Sequence, residues 1–345
     1  MKMTCDERRG TVNQFANQPP QETGTRREPP KQRAGMFASF YLFSADFWLE
    51  FLFWWTEHAP RVVWWTRGFF LYFAWRLGTT MRKNTLANAR GILGDSADEA
   101  TCVALAKNMI RSFYLAVYEM GRALRIPQDE LKHRIDPVEG RETYEEARRS
   151  KRGAVVVTAH LGGFELGMAA LVGHEKRVHV VFRRDASPRF DRLRSRLREK
   201  LGVVEAPVDE GWSTWSHLRD SLAGDEVVLI QGDRVMPGQK GVPVPFLHRR
   251  LLLPSGPFKL ALVAGAPVIP VFSLRTATGR LRIVVEEPIL LTRADGPIDA
   301  RHPAVLRLAA AIEKHVRSNP EQWLMIEPLW FGENSNQTHT KSHGH

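Results

Sequence analysis

The sequence predicts an α/β fold, a mixed sheet flanked by helices, preceded by an aromatic, membrane-associated helical segment. Three observations predict it. Between residues 154 and 274, short valine-rich apolar runs alternate with stretches of helical character. A turn signal at Thr278-Gly279 then joins two further β-type runs, adding an antiparallel pair to an otherwise parallel set. Ahead of both, residues 36–77 crowd Phe, Trp, Leu and Tyr into two blocks.

Composition bounds the partners. A chain of 345 residues fits one large domain with additions, or two domains, and 43% hydrophobic residues suffice for a sizeable core. The 49 Lys and Arg against 38 Asp and Glu give a formal charge of +11, which favours nucleic acid, anionic lipid or an acidic carrier protein. Nucleic acid is disfavoured, because no recognised module is present and the aromatics lie in an apolar block rather than among the basic residues. The two cysteines, Cys5 and Cys102, form no disulfide framework or metal site, and a reducing compartment is expected.

Residues 1–35 are polar, with Pro19-Pro20 and Pro29-Pro30, and read as a disordered leader rather than a secretory signal. Residues 36–55 (MFASFYLFSADFWLEFLFWW) and 62–77 (VVWWTRGFFLYFAWRL) follow. Asp46, Glu50, Arg67 and Arg76 interrupt them, so neither supplies the roughly eighteen uncharged apolar residues of a spanning helix. The competing reading is a pair of core helices. Trp54, Trp55, Trp64, Trp65 and Trp75 among so many Phe suit a membrane–water interface better, where Arg can snorkel. Basic residues flank the block on both sides, Arg26, Arg27, Lys31 and Arg33 before it and Arg82 and Lys83 after it. Both flanks favour the cytoplasmic side, which implies an interfacial helix pair or a re-entrant hairpin turning near residues 59–60.

The remaining elements follow in order. Residues 81–124 read as helical, with Asp98 and Glu99 opening a segment that Pro127 closes. Residues 140–150 form a short charged helix. Strands are expected from 154 up to His160 and at 178–183, 203–206, 227–231 and 268–274, with 281–286 as the hairpin partner of the last. One helix has Glu165 in its first turn and continues through Leu171, and others fill 188–200, 212–222, 254–264 and 304–317. Residues 241–256 (GVPVPFLHRRLLLPSG) read as an apolar, proline-rich loop able to wall a channel. The domain reading is a leader over 1–35, membrane-associated helices over 36–80, an α/β domain over 81–330 and a polar tail over 331–345. His339, His343 and His345 in that tail read as solvated.

Polar residues gather at strand ends. The stretch AVVVTAHLGGFE at 154–165 is a buried strand that stops at His160, turns on Gly162 and Gly163, and enters a helix at Glu165. A His followed by a carboxylate five residues on fits a base and its orienter, but its spacing alone fits capping or ordinary polarity near a helix start better. Arg183 and Arg184 end the next strand, and Asp233 with Arg234 end the one at 227–231. In an open α/β sheet such ends converge on one crevice. Arg192, Arg194, Arg196 and Arg198 in the 188–200 helix fit docking of an acidic carrier protein or anionic headgroups, or a solvated face. A zinc hydrolase is disfavoured, since His-x4-Glu is not the His-Glu-x-x-His spacing.

HLGGFE, RRDASPRFDRLRSRLREKLG, IQGDR, VPVPFL with PSGPFKLALVAGAPVIPVF, and NPEQWLMIEP, taken in that order, resemble the bacterial lipid A late acyltransferases of the lysophospholipid acyltransferase superfamily. The likeness covers roughly residues 36–330 and includes MRKNTLANARGIL, similar to the family's basic-Asn-Leu segment. It implies a membrane-associated enzyme at the cytoplasmic face of the bacterial inner membrane. Such an enzyme moves a fatty acyl group from acyl carrier protein or acyl-CoA to a lipid hydroxyl, with no cofactor or metal. His160 would be the general base and Glu165 its partner. Arg183, Asp233 and Arg234 would lie on the substrate side, and Gly162, Gly163 or Arg183 would offer oxyanion donors. The chain departs from the family in having QGDR where an Asp-Gln pair is commoner and PFLHRR where Phe-Phe-Gly is commoner. Both changes bear on the acceptor, which leaves another glycolipid or a lysophospholipid open. A non-catalytic membrane-anchored binding protein is the rival from outside enzymes.

Overall fold

The computed structural model describes residues 45–184, 187–236 and 239–332. The expected leader, the first aromatic residues from 36, and the tail histidines lie outside the described residues. Helices α1 (Ala45–His58), α2 (Pro60–Leu77), α3 (Thr79–Leu93), α4 (Glu99–Ala123), α5 (Gln128–Lys132) and α6 (Arg141–Arg148) come first. Strand β1 (Ala154–Thr158), α7 (Phe164–Val172), β2 (Val178–Phe182), α8 (Pro188–Leu201), β3 (Val204–Pro207), α9 (Trp212–Ala223) and β4 (Val227–Gln231) follow. The chain then forms β5 (Gly241–Phe246), β6 (Arg249–Pro254), α10 (Gly256–Ala264), β7 (Val268–Arg275), β8 (Leu281–Val285) and α11 (Pro303–Ser318).

Six strands make one sheet in the order β3-β2-β4-β1-β7-β8, parallel except for the antiparallel β8. The sheet is therefore mixed and lies between helical layers, as the alternating pattern predicts. Strand β1 is buried along its whole length. Its side chains alternate, Val155 and Val157 entering the core under α9, α10 and α11, and Val156 entering the core under α7 and α8. A strand covered on both faces needs apolar residues at every position, which is why it reads as a continuous valine run. At the next boundary, Asp98 caps α4 by accepting the Thr101 N–H at 2.8 Å, the signal that separates α3 from α4.

Residues 241–254 correct the loop reading, because they form the antiparallel ribbon β5–β6. Pro243 and Pro245 disguised it. A two-stranded ribbon has only edges, so prolines are tolerated where the amide would point outward. Val242, Val244, Phe246, Leu251 and Leu253 on the opposite face are buried in the core.

Helices α1 and α2 form a hairpin about Ala59, with Pro60 in the first turn of α2, where a missing amide proton costs nothing. The hairpin is fastened from inside. Phe53 stacks on Phe190 of α8 at 4.5 Å between ring centroids, and the Tyr114 hydroxyl of α4 donates to the Val63 carbonyl at 2.5 Å. Its outer side leaves Trp64, Trp65, Phe69 and Tyr72 exposed, Trp65 to 84%. Among the described residues, no helix is long and apolar enough to cross a membrane.

Candidate active site

The site is set by strand register. In the parallel β1–β4 pair, Thr158 lies opposite Gln231. Two residues further along each chain stand His160 and Asp233. The two side chains meet: His160 Nδ1 lies 2.8 Å from Asp233 Oδ1. An ionised carboxylate can only accept, so Nδ1 carries the proton and Nε2 keeps its lone pair. Asp233 Oδ2 also accepts the His160 backbone N–H at 2.8 Å and the Trp323 indole N–H at 2.9 Å.

Asp233 is wholly buried, whereas the His160 side chain is 19% exposed. Burial alone would raise the Asp233 carboxyl. The electrostatic attraction of the His160 ring and the hydrogen bonds donated by His160 and Trp323 outweigh it and hold the carboxyl below its ordinary range. The ring of Phe164 stands edge-on to His160, with centroids 5.3 Å apart.

The turn after His160 is tied to the sheet. Gly162 adopts φ 58°, and a Cβ there would sit 2.3 Å from the Ser273 carbonyl oxygen, so no larger residue fits. Its N–H donates to the Gln322 carbonyl at 2.9 Å, and its carbonyl accepts from Arg275 at 2.9 Å. Arg275 is held in turn by both oxygens of Glu119. Gly162 is thus a packing and turn residue whose amide is already engaged.

Glu165 makes no hydrogen bond to His160. Phe164 opens α7 beside the imidazole, and one residue on, about 100° round the helix, Glu165 faces α8. There it accepts from Arg194 Nε at 2.5 Å and from Arg198 at 3.4 Å, all three side chains buried. Burial raises the Glu165 carboxyl, and the two guanidinium charges more than reverse that, lowering it. Arg198 also lies 4.3 Å over the Phe182 ring and bonds Glu205 at 3.2 Å. The expected hydrogen bond from His160 to Glu165 is therefore replaced by one to Asp233. A buried carboxylate must find donors, and two arginines of α8 supply them.

The same contacts take Arg194 and Arg198 out of any docking face on α8, while Arg192 and Arg196 remain exposed. Arg194 and Arg198 point inward to Glu165, Arg196 pairs with Glu57, and Arg189 lies 3.5 Å from Glu50. Much of the helix's charge holds α1 and α7 in place. Arg183 and Arg184 are exposed beyond β2, with Arg184 bridging Asp209 and Glu210. Arg234 binds Glu327 at 2.5 Å.

Sequence reasoning assigns Trp323 no role, although it stands in the NPEQWLMIEP stretch that carries the family resemblance. It lies ninety residues beyond Asp233 and belongs to no long element, so nothing local points it at the imidazole. The loop that carries it is held by Asn88, whose amide donates to the carbonyls of Met325 at 2.9 Å and Glu327 at 2.8 Å. The MRKNTLANARGIL segment thus anchors the chain that delivers Trp323.

His160, Arg194 and Arg234 line two cavities. One, of about 850 Å³, opens toward α1, α4 and α8, and Phe53, Phe113 and Phe190 give it apolar walls. The other, of about 920 Å³, opens over the ends of β2 and β4 toward α9 and α10.

Residues 40–331 match the family described as bacterial lipid A biosynthesis acyltransferase. The chain belongs to that family. Membership makes it an acyltransferase. Among its relatives, the phosphatidylinositol mannoside acyltransferase of Mycobacterium tuberculosis is 25% identical over 76% of this chain and 80% of its own length. The protein of that name from Mycolicibacterium smegmatis is 26% identical over 54% of this acyltransferase, which spans only 59% of that relative.

Proposed function

We propose that this acyltransferase moves a fatty acyl group from a thioester donor, acyl carrier protein or acyl-CoA, to a hydroxyl of a glycolipid at a membrane surface. The observation that carries the reading is the His160–Asp233 pair standing between two cavities in a chain of this family. Relatives named for a mannoside of phosphatidylinositol support a glycolipid acceptor, whether lipid A or another. The exposed aromatic face of the α1–α2 hairpin supports a peripheral, interfacial attachment. The basic flanks of that segment favour the cytoplasmic leaflet of the bacterial inner membrane.

In this reading His160 Nε2 takes the proton of the acceptor hydroxyl as its oxygen attacks the thioester carbonyl. Asp233 is a positioning residue that fixes the tautomer and stabilises the imidazolium. The tetrahedral oxyanion meets the first N–H groups of α7, which have no intrahelical partners, or a neighbouring arginine. Collapse breaks the carbon–sulfur bond, and the imidazolium returns its proton to the departing thiolate. An ester and a free thiol result, with no enzyme nucleophile and no net proton change.

The test is acyl transfer by the purified full-length protein, with glycolipid products read by mass spectrometry. His160→Ala should lower turnover by about 10²–10⁴-fold, the usual worth of a positioned base. Near-normal turnover in a folded His160→Ala protein would reject the mechanism. Absence of any transfer by the unaltered enzyme would favour the binding-protein reading instead.

A further inference from the structure

The two cavities that share His160 differ in charge. The one toward α1 and α4 carries Glu50, Glu119, Glu165 and Glu327, and each faces an arginine: Arg189, Arg275, Arg194 and Arg234 respectively. Its charges are largely satisfied from within, and its carboxylates suit hydroxyl donors. The cavity toward α9 and α10 has no acidic residue among its lining residues, and six cations: Arg183, Arg194, Arg219, Arg234, Lys240 and Lys259. Lys240 and Lys259 are exposed and form no ion pair among the described residues. They belong to one rigid corner. The Lys240 carbonyl accepts both the N–H and the hydroxyl of Ser255, at 3.3 and 3.2 Å, and the Lys259 N–H bonds the Ser255 carbonyl one turn into α10.

We infer that the cavity over β2 and β4 is the donor site, and that Lys240 and Lys259 hold the phosphate of a phosphopantetheine thioester whose acyl carbonyl reaches His160. This rests on the acyl-transfer reading and deepens it by giving each substrate its own side of the imidazole. Of the two cavities only this one is lined by cations and by no carboxylate; Arg194, Arg219 and Arg234 are paired with Glu165, Asp220 and Glu327, which leaves the two lysines to meet a phosphate. The neutralised cavity on the α1 side then admits the glycolipid headgroup from the direction of the aromatic hairpin. Attack from one side on a carbonyl presented from the other needs both substrates bound together.

The experiment uses the full-length chain carrying Lys240→Glu and Lys259→Glu together. Both positions are exposed, so folding, checked by thermal melting, is retained. Steady-state kinetics are measured with acyl-CoA in one arm, acyl carrier protein in a second and a phosphate-free acyl-pantetheine thioester in a third. The donor KM should rise roughly tenfold or more in each phosphorylated arm whose donor the unaltered enzyme uses, from lost charge-assisted contacts, and the rise should shrink in added salt. The glycolipid KM and the use of the phosphate-free thioester should stay close to those of the unaltered enzyme. A rise with each phosphorylated donor that the unaltered enzyme uses assigns the lysines to the shared phosphopantetheine phosphate; where both donors are used, a rise confined to acyl-CoA or to the carrier protein places the lysines on the nucleotide or on the carrier's surface and overturns the assignment. An unchanged donor KM in both phosphorylated arms overturns the assignment. So does a rise in the glycolipid KM instead, or an equal loss with the phosphate-free thioester. If the unaltered enzyme transfers from none of the three donors, the functional reading fails and takes the assignment with it.

Discussion

Asp233 keeps its charge though fully buried because three donors converge on it, and Glu165 keeps its charge because two guanidiniums lie against it. The two carboxylates have different duties, and their variants should separate. Glu165→Gln leaves Arg194 and Arg198 facing each other with no anion between them, and breaking a buried pair costs about 3–5 kcal/mol. Denaturation at neutral pH should show that loss. Both carboxyls are lowered in the folded protein, so they stabilise it above the ordinary carboxylate range, and that contribution fades as pH falls through their lowered values. The gap between Glu165→Gln and the unaltered protein should therefore narrow in acid, and a constant gap from pH 7 to pH 2 would contradict the ion-pair account. The sequence made Glu165 the obvious partner of His160 because the two are five residues apart. Strand pairing, which no single stretch encodes, instead brought Asp233 to the imidazole from seventy-three residues away.

At the scale of elements, the strands and helices from β1 to α11 were legible because each carries a period of its own. The β5–β6 ribbon was not, since prolines at alternate outward positions imitate a loop. Arginines every second residue in α8 suggested a surface, but a helix turns such a row onto several faces, and the inward ones found Glu165. The α1–α2 hairpin resolves its aromatic crowding by dividing it. Leu52, Phe53 and Val63 are buried, and Trp65, Phe69 and Tyr72 are left outside. If that outer face meets lipid, replacing Trp65 and Phe69 by Ser should weaken flotation with anionic vesicles by about tenfold or more, from lost apolar burial, while melting stays unchanged. Equal flotation of the variant and the unaltered chain would place membrane contact elsewhere.

At the scale of the whole molecule, His160 from β1, Asp233 from β4 and Trp323 from the loop after α11 come together only because the sheet puts β4 beside β1 and closes that loop across their ends. The strand ends and their polar residues could be read in advance, but neither the order of strands in the sheet nor the path of the last loop could. The central claim is that Asp233, not Glu165, orients the base. It is tested most directly by kcat and KM of Asp233→Asn beside those of Glu165→Gln, each assayed where melting shows it folded. The account predicts that Asp233→Asn loses about 10²–10⁴-fold in kcat with little change in KM, while Glu165→Gln stays within about tenfold of the unaltered enzyme. Near-normal kcat in folded Asp233→Asn, with collapse in folded Glu165→Gln, would contradict it.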